Sequence, residues 1–315
     1  MMTTAVEPAV SARPGSRWFN QHGRPRHRMR TYLTGWSFIL PNFIGFGVFT
    51  LYPVLSLFYI SFTNWDIFGT ARWIGFANYQ RLINDSQFHT ALLNTLYYCA
   101  ITIPLTLVTS LALALLLNTK LRGVTFFRTA AFLPYITSIV AIAVVWNLLF
   151  SPQDGPVNEI LRVVGVAHPP GWLTSEGWAM PAVAIISTWR DMGYYMVLFL
   201  AGLQAVPREL HEAARVDGAG LFQRFFAVTL PALRPTTFFV VVILTINSLK
   251  VFDLILVMTQ GGPGTATLVL SQFIYQQGFT EYHFGYASAA SVALFLLSII
   301  VTVVQFAVNR KGEAR

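Results

Sequence analysis

Charge is scarce in this sequence: 11% of its 315 residues are Asp, Glu, Lys or Arg, while 55% are hydrophobic. Ordinary soluble domains carry about 25% charged residues, so this composition excludes one. Cysteine is nearly missing too. The single thiol, Cys99, lies inside an apolar run, so no disulfide framework can form within the chain and no redox compartment follows. The six histidines are scattered through tails and loops, without the spacing of a metal site. No G-x-x-x-x-G-K-[ST] occurs, and the glycine run Gly261-Gly262-Pro263-Gly264 continues into Thr265 rather than Lys. No Ser-His-Asp set is persuasive in runs this apolar. The chain is therefore read as no enzyme and as holding no cofactor of its own. Energy for any uphill process has to come from a partner ATPase or an ion gradient.

What is present is a series of apolar runs. Six of them, 35–62, 92–117, 129–150, 179–205, 236–259 and 284–308, reach the roughly 20 residues that cross a hydrocarbon core. The expected fold is all-α integral membrane: six transmembrane helices over 35–308, a disordered basic tail over 1–34 and a short tail over 309–315. The first run is too long for a signal-peptide core and lacks a cleavage site, so it reads as an uncleaved span bent at Pro41 and Pro53. The net charge of +8 is no nucleic-acid footprint, because Lys and Arg cluster beside the spans. Sixteen of the 21 fall in 1–34, 118–128, 206–235 and 309–315, against Arg72, Arg81 and Arg162 on the opposite side. That asymmetry sends both termini and the 206–235 loop to the cytoplasm, with the lipid bilayer around the spans.

The loop between the fourth and fifth spans is the most informative stretch. Over 212–231 it reads EAARVDGAGLFQRFFAVTLP, with Glu212, Arg215, Asp217, Gln223 and Arg224 among apolar residues at helical spacing: Ala213 and Ala214, then Leu221, Phe222, Phe225 and Phe226. Two short amphipathic helices are expected, opened at Pro207, joined by a turn at Asp217-Gly218 and closed at Leu230-Pro231. A bland alternative is an amphipathic loop lying on the membrane surface. The spacing Glu212-Ala213-Ala214, Gly218, Val228, Leu230-Pro231 resembles the EAA signature of binding-protein-dependent ABC importer permeases, with Val228 where Ile is commoner. Asp217-Gly218-Ala219, Phe225 and Pro235 resemble the form found in carbohydrate importers of the maltose and glycerol-phosphate type.

That resemblance, which extends over 35–308, implies much about role. The 206–235 loop becomes a coupling-helix hairpin gripped by a separate ATPase. Glu212 and Asp217 are then polar anchors, Gly218 permits the turn, and Phe222 and Phe225 fill the ATPase cleft. Implied partners are a second homologous permease, an ATP-binding subunit dimer that holds ATP and Mg, and an extracytoplasmic solute-binding protein. The implied location is a bacterial plasma membrane, and the implied role is half of a translocation pathway.

Charges inside spans mark candidate pathway residues, since a lone charge in hydrocarbon costs several kcal/mol. Lys250 and Asp253 are three apart, so on one helix they could neutralise each other. Arg190 and Asp191 are adjacent, so each is expected to need a partner elsewhere. Trp189, Tyr194, Tyr195, Asn247 and Phe252 lie nearby and could line a polar passage, although aromatic residues in membrane helices more often pack or form interfacial belts. The stretch NSLKVFDLILVMTQGGPG resembles the corresponding span of sugar permeases. An ion-driven secondary transporter is the competing reading, with these four charges as its coupling groups, but such proteins usually show an internal repeat and none is evident here.

Overall fold

The computed structural model describes residues 25–66, 69–119 and 122–313. Its contacts divide the chain into two units, Met1–Leu55 and Ser56–Arg315. The described residues are overwhelmingly helical, as the apolar runs require, because in hydrocarbon a helix satisfies its own backbone.

In the first unit, α1 (Pro25–Phe46) runs into a π-helical turn, Gly47–Leu51. The segment read as a tail is thus helical from Pro25 onward, and residues 1–24 lie outside the described residues. Trp36, Phe38, Phe43 and Phe49 are exposed, as suits a helix surrounded by lipid. Then α2 (Tyr52–Ser61) carries Pro53 near its start. The π turn shows how a helix tolerates that proline. A proline ring collides with the carbonyl four residues back. Here the Tyr52 N–H reaches five residues back to the Gly47 carbonyl, so the ladder is already displaced when Pro53 arrives.

In the second unit, a two-stranded ribbon, β1 (Thr63–Asn64) with β2 (Arg72–Trp73), precedes α3 (Ala77–Asn84) and α4 (Ser86–Leu117). The third apolar run forms two helices, α5 (Val124–Ile136) and α6 (Ile139–Leu149), bent by 97°. Thr137 and Ser138 are extended at the break, just beyond Pro134. After α7 (Pro156–Val163) comes α8 (Glu176–Ala205), and then the segment α9 (Arg208–Val216), α10 (Leu221–Arg224) and α11 (Leu230–Ala232). The fifth run is also interrupted: α12 (Arg234–Leu249) stops at Lys250 and α13 (Asp253–Met258) restarts it. Last are α14 (Leu270–Tyr275), a π-helical turn Gln276–Thr280, and α15 (Phe284–Glu313).

Three helices among the described residues, Thr34–Ser61, Ser86–Leu117 and Phe284–Arg310, are long and apolar enough to cross a membrane. Counting two bent pairs, α5 with α6 and Leu221–Ala232 with α12, raises this to five. The long helix α8 is not among them, because Arg190 and Asp191 interrupt its apolar run.

The core is α8 wrapped by α4, α5 and α12. Small and hydroxylated residues let these helices approach, as membrane helices require. Thr95, Thr102, Thr106, Ser110 and Ala114 form the buried stripe of α4. Across it, the Tyr98 hydroxyl donates to Ser187 Oγ (2.7 Å), and the Thr106 and Thr188 hydroxyls share a hydrogen bond of 3.1 Å. Gly193 of α8 sits so close to α5 that any Cβ would collide with the Ala131 carbonyl.

Candidate functional site

The break between α12 and α13 opens a cavity of about 390 Å³ in the second unit. Non-helical backbone within a membrane protein is tolerated where it lines a cavity, and 250–252 do so here. Arg190, Asp191, Asn247, Lys250, Phe252 and Asp253 all face this space. Tyr194 does not line it. Its ring stacks on Tyr135 (4.6 Å between centroids, 12° between planes) and meets Tyr195 edge-on at 5.0 Å.

Two expectations about the charges are corrected. Arg190 and Asp191 serve each other: Arg190 Nε donates to Asp191 Oδ1 at 2.6 Å and Nη2 to Oδ2 at 3.2 Å. Adjacent Cα–Cβ bonds diverge on a helix, but the long arginine side chain folds back far enough to form the fork that suits a carboxylate. Conversely, Lys250 and Asp253 are not within ion-pair distance of each other, because the break from 250 to 252 removes the helical turn that would have aligned them.

Several lining residues were not singled out by their place in the sequence. Tyr98 comes from α4, Tyr135 from α5 and Ser187 from α8. Each is one weakly polar group in an apolar run, a signal shared with many packing residues. Tyr195 accepts a hydrogen bond from Asn247 Nδ2 at 3.3 Å, which joins α8 to α12 beside the cavity.

The segment 208–232 has a different geometry. Pro207 precedes α9 rather than opening it. The turn after α9 is closed by two hydrogen bonds, Gly218 N–H to the Arg215 carbonyl (3.0 Å) and Ala219 N–H to the Ala214 carbonyl (2.9 Å). This is the Schellman arrangement, which needs a left-handed residue after the helix cap; Gly218 supplies it with φ +77°. At the next helix start, Gln223 Oε1 accepts from the Gly220 N–H at 2.8 Å. Leu230-Pro231 does not end the second helix. A π-helical turn, Phe225–Thr229, sends the Leu230 N–H to the Phe225 carbonyl, and the helix passes Pro231 to Ala232 before bending 66° into α12. The device matches the one before Pro53.

Glu212, Ala213 and Asp217 are exposed, while Ala214, Phe225, Leu230 and Pro231 are half-buried. Around the turn, Val216 is 88%, Leu221 77% and Phe222 82% exposed. Phe225 rests edge-on against Phe226, 5.0 Å away. The result is a polar helix pair with an uncovered apolar tip.

Comparisons with known proteins agree with this architecture. Residues 91–312 match the family model described as binding-protein-dependent transport system inner membrane component. The chain is 36% identical to the lactose transport system permease protein of Rhizobium radiobacter, over 89% of this chain and 95% of that one. It is 34% identical to an arabinooligosaccharides transport system permease protein of Bacillus subtilis, over 99% of this chain and 98% of that one. Among solved structures, a bacterial ABC transporter involved in alginate import has a chain that is 26% identical, with a TM-score of 0.80 over 91% of this chain and 98% of that one. The same transporter in complex with an alginate pentasaccharide-bound periplasmic protein matches with the same TM-score. These likenesses set aside the ion-driven alternative: the chain belongs to the family of binding-protein-dependent transport system inner membrane components.

Proposed function

We propose that this chain is one membrane-spanning half of an ATP-driven importer for a carbohydrate, and that 208–232 joins it to the ATPase. In this reading the fold has six spans, with α8 as the fourth and the interrupted α12–α13 as the fifth. Both termini and the Gly218 turn face the cytoplasm, following the steep Lys and Arg asymmetry of the loops. A second permease completes the pathway, an ATPase dimer binds ATP and Mg beneath it, and a solute-binding protein delivers sugar from outside a bacterial plasma membrane. Relatives named for lactose and arabinooligosaccharides support the carbohydrate class.

The observation that carries the reading is the Gly218 turn with Val216, Leu221 and Phe222 exposed around it, in a chain without a nucleotide-binding motif. An uncovered apolar tip of this kind marks a docking site. Glu212 and Asp217 flank it as polar anchors, and the half-buried Phe225 supports it. On the membrane side, Arg190, Asp191, Asn247, Lys250, Phe252 and Asp253 line the sugar's route, and Tyr194 backs the wall through Tyr135. ATP and the loaded binding protein drive movement only if each prefers one arrangement of the helices over the other.

The test is affinity purification of the tagged chain from solubilised native membranes, with mass identification of its companions. A second permease and a P-loop ATPase are expected. Gly218→Asp, which puts a charged side chain on a left-handed residue, should insert normally yet lose both ATPase association and uptake. Uptake retained by Gly218→Asp, or a chain that purifies alone and carries solute under an ion gradient, overturns the proposal.

A further inference from the structure

Five aromatic rings stand in file from the cavity toward the start of α15. Phe252 lines the cavity, and its ring centroid is 5.2 Å from that of Tyr275. Tyr275 stacks on Phe279 at 5.5 Å with 26° between planes. Phe279 meets Phe284 at 6.0 Å, and Phe284 meets Trp65 at 5.3 Å. The backbone arranges this. Tyr275 and Phe279 lie four residues apart, the spacing that brings side chains together on a helix surface, at the π-helical turn Gln276–Thr280, and π turns of this sort concentrate at functional sites. Trp65 is held because its carbonyl accepts the Gly285 N–H at 3.0 Å, where the backbones lie so close that a Cβ on Gly285 would strike the Thr63 carbonyl.

The file is no part of the packed core, since Tyr275 is 37% and Phe279 62% exposed. An interfacial belt spreads aromatic residues around the outside of a helix bundle, whereas these rings touch one another in sequence and begin at a cavity that holds charged and amide groups. Aromatic faces carry negative charge density, which suits the C–H face of a pyranose or furanose. In a row of such faces, a sugar leaving one ring already meets the next. We propose that Phe252, Tyr275, Phe279, Phe284 and Trp65 form a stacking track along which a carbohydrate passes between the extracytoplasmic side and the cavity. The proposal rests on the carbohydrate-importer reading above.

The test uses the complete transporter in liposomes with its binding protein, supplied in turn with radiolabelled lactose, trehalose, maltose and arabinotriose. The quantity read is sugar taken up per ATP hydrolysed. Phe279→Leu and Tyr275→Leu keep an apolar side chain and remove only the ring face; each should lower the ratio about three- to ten-fold. Trp36→Leu, an exposed aromatic off the track, should match wild type, and Tyr275→Phe, which keeps the ring face, should transport better than Tyr275→Leu. If Phe279→Leu fails to assemble, the Tyr275→Leu and Tyr275→Phe pair decides. Leucine variants that transport at the wild-type ratio overturn the track while leaving the importer reading standing. If wild type hydrolyses ATP but moves none of the four sugars, the carbohydrate reading fails and the track with it.

Discussion

The Gly218 turn and the cavity use similar residues in opposite ways. Around the turn, Glu212 and Asp217 stand exposed, and so do Val216, Leu221 and Phe222. At the cavity, Arg190 and Asp191 are mostly enclosed and locked together, with side-chain exposures of 23% and 14%. Where water reaches a charge, no partner is needed and the uncovered apolar group is the unusual feature. Where water is scarce the cost reverses, and the charge must find a partner. The first pattern suits docking to another protein; the second suits a polar passage through helices.

The contrast can be broken most sharply at Phe222. If the tip docks an ATPase as proposed, Phe222→Asp should weaken that association by at least about 30-fold, the loss typical of a buried interface anchor, without shifting thermal unfolding in detergent. A large fall in Tm would instead mean that the tip packs within the chain. The cavity should respond in the other sense. Asp191→Ala leaves Arg190 without its carboxylate and should cost about 3 kcal/mol, near the low end for a broken buried pair because part of the arginine is still exposed. The double variant Arg190→Leu with Asp191→Leu should recover most of that stability, yet transport should stay lost. Recovery of both would reduce the pair to a structural bond.

A smaller effect is expected at Asp85, outside both regions. It caps α4 by accepting from the N–H groups of Gln87 (2.8 Å) and Phe88 (3.3 Å), and its other oxygen accepts from the Tyr286 hydroxyl at 2.5 Å. Burial pushes the carboxyl's pKa up, but the bonds from Tyr286, Gln87 and Phe88 and the charge of Arg81 outweigh it and hold the pKa below its ordinary value. A pKa depressed on folding adds stability that is complete above the ordinary carboxylate pKa and is lost as pH falls through the folded value, below about 4. Asp85→Ala should cost about 1 kcal/mol at neutral pH and flatten the acid limb of a Tm-versus-pH curve. An unchanged acid limb would show that another carboxylate dominates it.

The 208–232 segment was largely legible because its information is local. Glycine at a left-handed C′ position and amphipathic spacing on either side of it act within a few residues. Pro231 misled because a proline ends a helix only when the turn before it is α-helical, and the π turn that avoids the clash leaves no compositional mark. The breaks at Thr137-Ser138 and after Leu249 were hidden in the same way, since the apolar runs continue across them. Four of the six expected spans coincide with a qualifying helix or with the bent α5–α6 pair; the fifth run spans α12 and α13, and α8 is too polar at Arg190-Asp191 to qualify on composition alone. The cavity wall was legible only where charge flagged it. Tyr98 and Tyr135 join it through packing between helices distant in the chain, which spacing along one helix does not encode.

The missing side chain at Gly193 has a mechanical consequence. Backbone seated directly on the Ala131 carbonyl leaves no side-chain layer between α5 and α8 at this point, so little slack exists for one to shift against the other. Any rearrangement that alters access to the cavity has to be taken up where the chain is already free of helical constraint. On this side of the molecule that place is the extended pair Thr137-Ser138, where a change in backbone angle would re-aim α6 without disturbing the α5–α8 contact.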